Sequence, residues 1–397
     1  MSMFNRRKLS RVCTVLGLIL SGPLAIFAQV ATDASATQSL PRLFSARFQP
    51  YVDNGTMAGS VCLVATKDKI LDIEAVGYAN IETKKPMSSD DEFWIASMTK
   101  PFTAVALMML VDEGKVRLDD PVEKFIPEFK GQMVKQEESD AVVAANHPIE
   151  IRELLSHTSG LWSPADDLTL PLAHWVDGYA HSSLEHQPGT YYQYSNAGIN
   201  TIGRIIEVVS GMPYEKFMQN RIFTPLGMTN TTFWPDTSQM ARMAVAYHEA
   251  LDNSGLQPAK VRFAPDRDGS RVNAMPAGGL FSNAPDLLKF CRMMLQKGTF
   301  EGKRYLSESA VETMTRYQTT PFTTGTYGLG WMISPTSFYH DGSAKTRMAI
   351  VPSEGLVEIF LTQIVDPNPP GANDFLNVFT KTAEDAFGKP AKRASQK

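Results

Sequence analysis

The chain lacks several patterns that would place it in other classes of protein. Only three of its 397 residues are cysteines. The net charge is -4 and no long basic stretch lies beyond the N-terminus, so the electrostatic footprint of a nucleic-acid-binding protein is missing. No Gly-x-Ser-x-Gly sequence occurs, which argues against an α/β-hydrolase. The 43% hydrophobic share instead suits a globular protein of one or two domains with a large core.

The N-terminus has the layout of a secretory signal peptide. Four basic residues among the first eleven precede an apolar run from Val12 to Ala28, which predicts a signal over residues 1–28 with cleavage near Ala28. Gly22 and Pro23 interrupt a run that is already short for a bilayer, so no membrane span is expected after cleavage. The pair Arg6-Arg7 leaves twin-arginine export open beside the general route. We expect an exported protein, either periplasmic or secreted.

Two cysteines would remain after cleavage. Cys62 lies in an apolar strand-like segment and Cys291 in an apolar helical one. Both are interpreted as small core residues, with a disulfide between them as the alternative.

Strand patterns lie at both ends of the chain and helical patterns in the middle. Gly59–Thr66 and Ile70–Tyr78 predict a hairpin. Further strands are predicted over Tyr327–Ile333, Phe338–Ser343, Met348–Val351 and Leu356–Ile364, and a last helix over 373–387. We therefore expect an α+β protein whose sheet is assembled from both ends around an inserted helical domain. The predicted parts are a flexible leader (29–38), a discontinuous sheet domain (39–98 and 275–388), a mainly helical domain (99–274) and a loose tail (389–397).

The segment Ser97-Met98-Thr99-Lys100 places a hydroxyl and an amine three residues apart at the start of an apolar helix. Such residues share one helix face, with Cβ atoms roughly 5 to 6 Å apart. Ser97 is therefore a candidate nucleophile and Lys100 its candidate base. A helix N-cap followed by a solvated lysine is the alternative. An ordinary surface lysine does not usually open a helix as apolar as Phe102 to Val111.

Lys100 can accept a proton only if its amine is neutral. With an ordinary pKa near 10.4, about one lysine in 2,500 is neutral at pH 7, a handicap of roughly 4.6 kcal/mol. The site must therefore lower this pKa, by burial or by a nearby cation.

Further elements follow in a fixed order. They are Leu154-Leu155-Ser156-His157-Thr158-Ser159-Gly160-Leu161, the stretch from Tyr194-Ser195-Asn196 through Pro225-Leu226-Gly227-Met228, Ala277-Gly278-Gly279-Leu280, Tyr327-Gly328-Leu329-Gly330-Trp331 and His340-Asp341-Gly342. On these elements the chain, over roughly residues 40 to 385, resembles the serine hydrolases related to class C β-lactamases, D-alanyl-D-alanine carboxypeptidases and their esterase relatives. The resemblance implies a β-lactamase/transpeptidase-like fold, an acyl-enzyme on Ser97, a cleft between the two domains, and no metal or cofactor.

The resemblance also implies roles for other residues. Tyr194 is the counterpart of a second general acid/base, although a loop tyrosine packed on neighbouring tyrosines is the alternative. Asn196 would hydrogen-bond the lysine and the substrate carbonyl. The backbone N–H groups of Ser97 and Ser343 would form the oxyanion hole, the first helped by its helix N-terminus.

His340-Asp341-Gly342 stands where the lactamases carry Lys-Thr-Gly. Strand alternation predicts His340 and Gly342 on one face, with Gly342 letting substrate lie against the backbone. Histidine is mostly neutral at pH 7, so a β-lactam carboxylate loses its permanent cation and neutral esters or amides are favoured. Lys345 departs from the family by standing where glycine is common, and Lys345-Thr346-Arg347 is an alternative position for the element.

Other candidates have simpler interpretations. His157 is expected in a structural turn, with a triad histidine as the alternative. His181, Glu185 and His186 match no standard zinc spacing and indicate a solvated face. Trp162 and Trp331 either line the cleft or fill the core.

The sequence thus predicts an exported serine hydrolase acting on esters or amide-like acyl donors, with a small molecule or a peptide as its substrate. A D-alanyl-D-alanine carboxypeptidase, D-aminopeptidase or β-lactamase is the alternative within this class. A non-hydrolytic module that binds wall peptides is the alternative from another class.

Overall fold

The computed structural model describes residues 42–136, 141–162, 167–252, 254–259, 273–319 and 326–389. The predicted signal peptide and leader lie outside these residues, as does the predicted tail apart from Lys389. Within the described ranges, no helix combines the length and apolar character needed to cross a bilayer.

One seven-stranded antiparallel sheet forms the centre of the described chain. Its strands are β1 (Gly59–Thr66), β2 (Ile70–Asn80), β3 (Lys85–Pro86), β4 (Met332–Ile333), β5 (Phe338–Gly342), β6 (Thr346–Val351) and β7 (Leu356–Leu361). Their order across the sheet is β4-β5-β6-β7-β1-β2-β3. The pairing of β1 with β7 joins the two ends of the chain, as the sequence predicts, and the α+β class is confirmed.

The strand β1 is buried on both of its faces. Val61 lies opposite Ala75 of β2 and Leu361 of β7. Because successive side chains alternate, Val61 enters one hydrophobic layer and Cys62 the other. Cys62 and Cys291 are both buried and free, so they are core residues and the alternative of a disulfide is wrong.

Helices cover both faces of the sheet. On one face, α1 (Leu43–Asp53) and the last helix (Phe375–Phe387) pack through Phe44 and Phe379, whose rings are 5.3 Å apart. Burying a phenylalanine contributes about 1.5 to 3 kcal/mol to folding. The other face carries the helix Ala284–Leu295.

A central helix, α2 (Thr99–Asp112), is surrounded by protein. All of its residues from Thr99 to Leu110 are buried, as expected for a helix that is apolar on every side. Phe102 stacks on Phe290 of the sheet-covering helix at 3.8 Å between ring centroids. Because Lys100 lies in the first turn of α2, it is forced out of water.

The segment between the two halves of the sheet is mainly helical. Its longest helix, α3 (Asn196–Ser210), begins at the N-cap Ser195, whose side chain accepts a hydrogen bond from the Gly198 amide. The other α-helices of the described chain are Ile151–Leu155, Leu172–Ala180, Tyr214–Met218, Thr224–Leu226, Thr237–Ala241 and Glu308–Met314. Short strands pair as Phe93–Trp94 with Phe281–Ser282, Met133–Lys135 with Val142–Ala144, Tyr247–Glu249 with Leu256–Pro258, and Thr299–Phe300 with Lys303–Arg304. The domain boundaries near residues 98 and 275 stay a prediction.

The predicted strand Tyr327–Ile333 is mostly a turn, and only Met332–Ile333 is a strand. Two glycines explain the difference. A Cβ at Gly328 would lie 2.1 Å from the Met314 carbonyl oxygen, and Gly330 has a φ of +76°. Both positions require glycine for close packing and not for an extended strand.

Candidate active site

Ser97 lies in a tight turn that connects a short strand to α2. The turn spans Ala96–Met98 and leads directly into the helix, leaving Ser97 half-buried. Ala96 has a φ of +48°, a left-handed conformation that costs a non-glycine residue about 1 to 2 kcal/mol. The Thr99 hydroxyl donates a hydrogen bond to the Ala96 carbonyl at 2.7 Å and helps to hold this conformation. Strained backbone therefore immediately precedes the candidate nucleophile.

The amine of Lys100 is buried and has three polar neighbours. Its Nζ lies 3.1 Å from Ser97 Oγ, 2.8 Å from Asn196 Oδ1 and 2.8 Å from the Ala277 carbonyl oxygen. The last two atoms can only accept hydrogen bonds. A neutral amine would donate its two hydrogens to them, which leaves its lone pair for the Ser97 hydroxyl. This arrangement suits a general base.

Burial lowers the pKa of Lys100 well below its ordinary value. The requirement raised by the sequence, a lysine made neutral by its surroundings, is therefore met by desolvation. The alternative of a solvated lysine after a helix N-cap is wrong, since the side chain is 0% exposed.

The Tyr194 side chain lies close to the pair formed by Ser97 and Lys100. Although 39% of Tyr194 is exposed, desolvation of the phenol raises its pKa above the usual range. Lys100 Nζ lies 4.6 Å from the Tyr194 ring centroid, and the His157 ring lies at 4.4 Å. The structure thus brings together the three predicted catalytic side chains, and the acid/base role of Tyr194 stays a prediction.

His340 is completely buried on β5. Its Nδ1 donates to the Asp341 carbonyl at 2.7 Å, so its Nε2 accepts a hydrogen bond from the Tyr327 hydroxyl at 2.9 Å. Burial, followed by the nearby charge of Lys100, lowers the pKa of His340 to about 3. The ring is therefore neutral, as the sequence predicts. Because both of its nitrogens are already bonded within the chain, contact of His340 with a substrate stays a prediction.

Gly342 is required by the packing of the chain itself. A Cβ there would lie 2.2 Å from Thr346 Oγ1 and 2.6 Å from the carbonyl oxygen of Ile95, just before the Ser97 turn. The glycine therefore lets β5 approach the segment that carries the nucleophile. The space that the sequence reasoning assigned to substrate is occupied by these chain atoms, so that part of the prediction is corrected.

Lys345 ends the loop from β5 to β6 in a backbone conformation that favours glycine, the residue common at this position in the family. Lys345 has a φ of +60°, and its amide donates to the Gly342 carbonyl at 3.0 Å. A three-residue hairpin of this type ends in a left-handed residue, which favours glycine. Here Lys345 Nζ bonds to Asn373 Oδ1 at 2.7 Å. Ser343, in the same loop, is exposed, and its role in an oxyanion hole stays a prediction.

Asp341 points to the opposite side of β5 and forms a two-point ion pair with Arg347, at 2.6 and 2.8 Å. Since Lys345 and Arg347 are both paired with other side chains, the alternative position of the family element gains no support.

Sequence reasoning missed three contributors to the site. Ala277 supplies a carbonyl to Lys100, Tyr327 holds His340, and His157 packs on Tyr194. Ala277 and Tyr327 belong to segments that carry the family resemblance, which was the available signal, but nothing in those segments indicates these particular contacts.

The remaining candidates lie elsewhere. Trp331 is buried and stacks on Phe290, so it fills the core, whereas Trp162 is 50% exposed. Within the described residues, no group of three or more His, Cys, Asp or Glu side chains could hold a metal ion.

Comparison with known proteins agrees with this geometry. The model of the β-lactamase family matches residues 44–382. Penicillin-binding protein 4 of Amycolatopsis lactamdurans is 31% identical, over 72% of this chain and 76% of that protein. Esterase EstB of Burkholderia gladioli is 31% identical, over 63% and 69%.

A solved structure is similar in fold. EstCE1, described as a hydrolase with promiscuous acyltransferase activity, superposes with a TM-score of 0.70 and 24% identity, over 88% of this chain and 98% of that one. The chain therefore belongs to the β-lactamase family of serine hydrolases.

Proposed function

We propose that Ser97 attacks the carbonyl carbon of an ester or amide-like acyl donor and forms an acyl-enzyme that water then hydrolyses. The observation that carries this proposal is the buried Lys100 amine 3.1 Å from the Ser97 hydroxyl, with two carbonyl-type acceptors for its hydrogens. A solvated, charged lysine could not serve as a base at neutral pH.

In the acylation step, the Ser97 proton passes to Lys100 as the bond from Oγ to the substrate carbon forms. The amides of Ser97 and Ser343 would stabilise the oxyanion. Tyr194 then delivers a proton to the departing alcohol or amine and takes the Lys100 proton in its place, so both residues return to their starting states. Water repeats the sequence on the acyl-enzyme, with the serine as leaving group. The protons are shared by this group of side chains and belong to no single one.

Neutral acyl donors are the proposed substrates. The family position of a cationic lysine is taken by the neutral His340, and the two basic residues nearby in the hairpin, Lys345 and Arg347, are bonded to Asn373 and Asp341. A substrate carboxylate thus gains little from this hairpin. The similarity to esterase EstB supports esters.

The similarity to a penicillin-binding protein supports the second candidate, an enzyme that acts on D-amino-acid termini of wall peptides or on β-lactams.

Export through the predicted signal peptide is also a proposal. Intact-mass measurement of the exported protein should then give the mass of a chain that starts after Ala28.

Labelling with a fluorophosphonate, read by intact mass, tests the mechanism. The wild type is expected to gain one adduct, and Ser97→Ala none. Ser353→Ala, an exposed serine beyond the far end of β6, is the control and should label normally. A wild-type protein that takes no adduct would favour the non-hydrolytic binding module. Comparison of p-nitrophenyl esters, a chromogenic cephalosporin and a D-Ala-D-Ala peptide then separates the substrate classes.

A further inference from the structure

His157 contacts three consecutive residues of the segment that carries Tyr194. Its carbonyl oxygen accepts a hydrogen bond from the Gln193 amide at 2.9 Å. Its Nδ1 accepts one from the Ser195 amide at 3.1 Å. Between these two bonds, its ring lies against the Tyr194 ring, 4.4 Å between centroids and tilted by 36°. One residue therefore restrains the backbone on each side of Tyr194 and the ring itself.

The backbone of His157 is strained to make these contacts. Its φ is +60°, and the side chain is 1% exposed. A left-handed conformation costs a residue of this kind about 1 to 2 kcal/mol and persists only where the surroundings enforce it.

The hydrogen bonds fix the state of the imidazole. The Ser195 amide can only donate, so Nδ1 carries a lone pair and the neutral ring has its hydrogen on Nε2. This Nε2 is buried and has no hydrogen-bond partner in the described chain. Burial lowers the pKa of His157, and the nearby Lys100 and His340 lower it further, so the ring stays neutral beside the Lys100 amine.

His157 also connects Tyr194 with the far wall of the site. The Tyr327 ring meets the His157 ring edge-on at 4.6 Å, and its hydroxyl donates to His340. The histidine thus lies between the candidate acid/base and the tyrosine that is hydrogen-bonded to His340 of β5.

We propose that His157 is a positioning residue that holds the Tyr194 phenol beside Lys100 and Ser97. The proposal rests on the proposed role of Tyr194 as acid/base. His157 itself does not touch the reacting atoms and transfers no proton. Its ring and its two hydrogen bonds keep the phenol within reach of Ser97 throughout both half-reactions.

The first test is His157→Asn. Asparagine tolerates a left-handed backbone and can still accept from the Ser195 amide, but it lacks the ring that packs on Tyr194. Misplacement of a catalytic group by about 1 Å can cost about 100-fold in rate, so we expect kcat for a p-nitrophenyl ester to fall about 10- to 100-fold. KM should stay within about threefold of the wild-type value, because in this proposal His157 does not contact the substrate.

The matched control is His186→Asn. His186 is a partly buried histidine whose ring packs on a tyrosine, Tyr191, and whose Nε2, like that of His157, lacks a partner within the described residues. Within the described residues, His186 makes no ring contact or hydrogen bond with Tyr194, so kcat of His186→Asn should stay within about twofold of wild type. Rates are expressed per fluorophosphonate-reactive site, so that loss of folded protein is not counted as loss of catalysis.

A double-mutant cycle separates positioning from general destabilisation. In a Tyr194→Phe background the phenol is gone, so adding His157→Asn should change kcat by less than about twofold. An equal fold-loss in both backgrounds, or a wild-type kcat for His157→Asn, overturns the proposal. If His157→Asn does not fold, the same cycle is run with His157→Phe, which keeps a ring and gives up the acceptor.

The cycle also tests the acid/base role of Tyr194 separately from the positioning role of His157. A Tyr194→Phe enzyme with full activity would overturn the proposed role of Tyr194, and the positioning role with it. A large loss in Tyr194→Phe together with an additive effect of His157→Asn would overturn only the positioning role.

Discussion

Substitution of one neighbouring side chain, that of Asn196, should shift the pKa of Lys100. Asn196 Oδ1 lies 2.8 Å from Lys100 Nζ. The substitution Asn196→Asp keeps the shape of this side chain and places a negative charge at the same position. An adjacent negative charge favours the ammonium form, so the pKa of Lys100 should rise and the base should be lost at neutral pH.

The distance between Lys100 Nζ and the oxygen at position 196 sets how far the pKa of Lys100 should move. Two unit charges 2.8 Å apart in an effective dielectric constant of about 20 attract by about 6 kcal/mol, which is an upper bound on the effect. Opposite charges at this range shift a pKa by about one to three units. We therefore expect the rate at pH 7 to fall about 10- to 1,000-fold and to recover as the pH is raised.

The assay is kcat/KM for a p-nitrophenyl ester as a function of pH. In the wild type, the acid limb should lie well below the pKa of an ordinary lysine, because burial lowers the pKa of Lys100. Activity then rises with pH as the amine loses its proton. In Asn196→Asp the limb should move to higher pH by about one to three units.

The control makes the same chemical change beside another lysine. Asn373→Asp places a carboxylate next to Lys345, and the acid limb should not move. An acid limb that is identical in Asn196→Asp and wild type would refute the reasoning, since the titrating group would then not be Lys100. Substantial activity in Lys100→Arg would refute it independently, because arginine does not release its proton at these pH values.

Three further predictions concern the supports of the site and of the sheet. Tyr327→Phe leaves the buried His340 Nε2 without its donor, and urea unfolding should show a loss of about 1 to 3 kcal/mol in stability. Burial, and then the charge of Glu384, raise the pKa of Glu358 from 4.5 to about 7, so its carboxylate must ionise in the core as the pH rises. The free energy of unfolding should therefore be highest below pH 4.5 with respect to this group and fall by about 3 kcal/mol as the pH passes 7; Glu358→Gln should remove this part of the pH dependence. Lys345→Gly relieves a left-handed backbone and should raise the unfolding free energy by up to about 1 kcal/mol, and a clear loss of stability would show that the bond to Asn373 outweighs the strain.

The amino-acid sequence determined the features that depend on local spacing and hydrophobicity. Ser97 and Lys100 share a helix face because they are three residues apart, and the apolar helix behind them implied that the lysine would be buried. The same local reasoning gave the hairpin of β1 and β2 and the neutral His340. It was wrong for Tyr327–Gly330, where alternating apolar residues imitate a strand while the glycines serve close packing.

Tertiary structure alone decided how the distant segments converge. The carbonyl that accepts from Lys100 belongs to Ala277, 177 residues further along the chain, and every residue carries the same carbonyl. Backbone donors and acceptors have no signature in the sequence, so neither this contact nor the two hydrogen bonds of His157 with backbone amides could be recognised there. The left-handed backbone of Ala96, His157 and Lys345 is likewise set by the packing around them, since none of these residue types demands it.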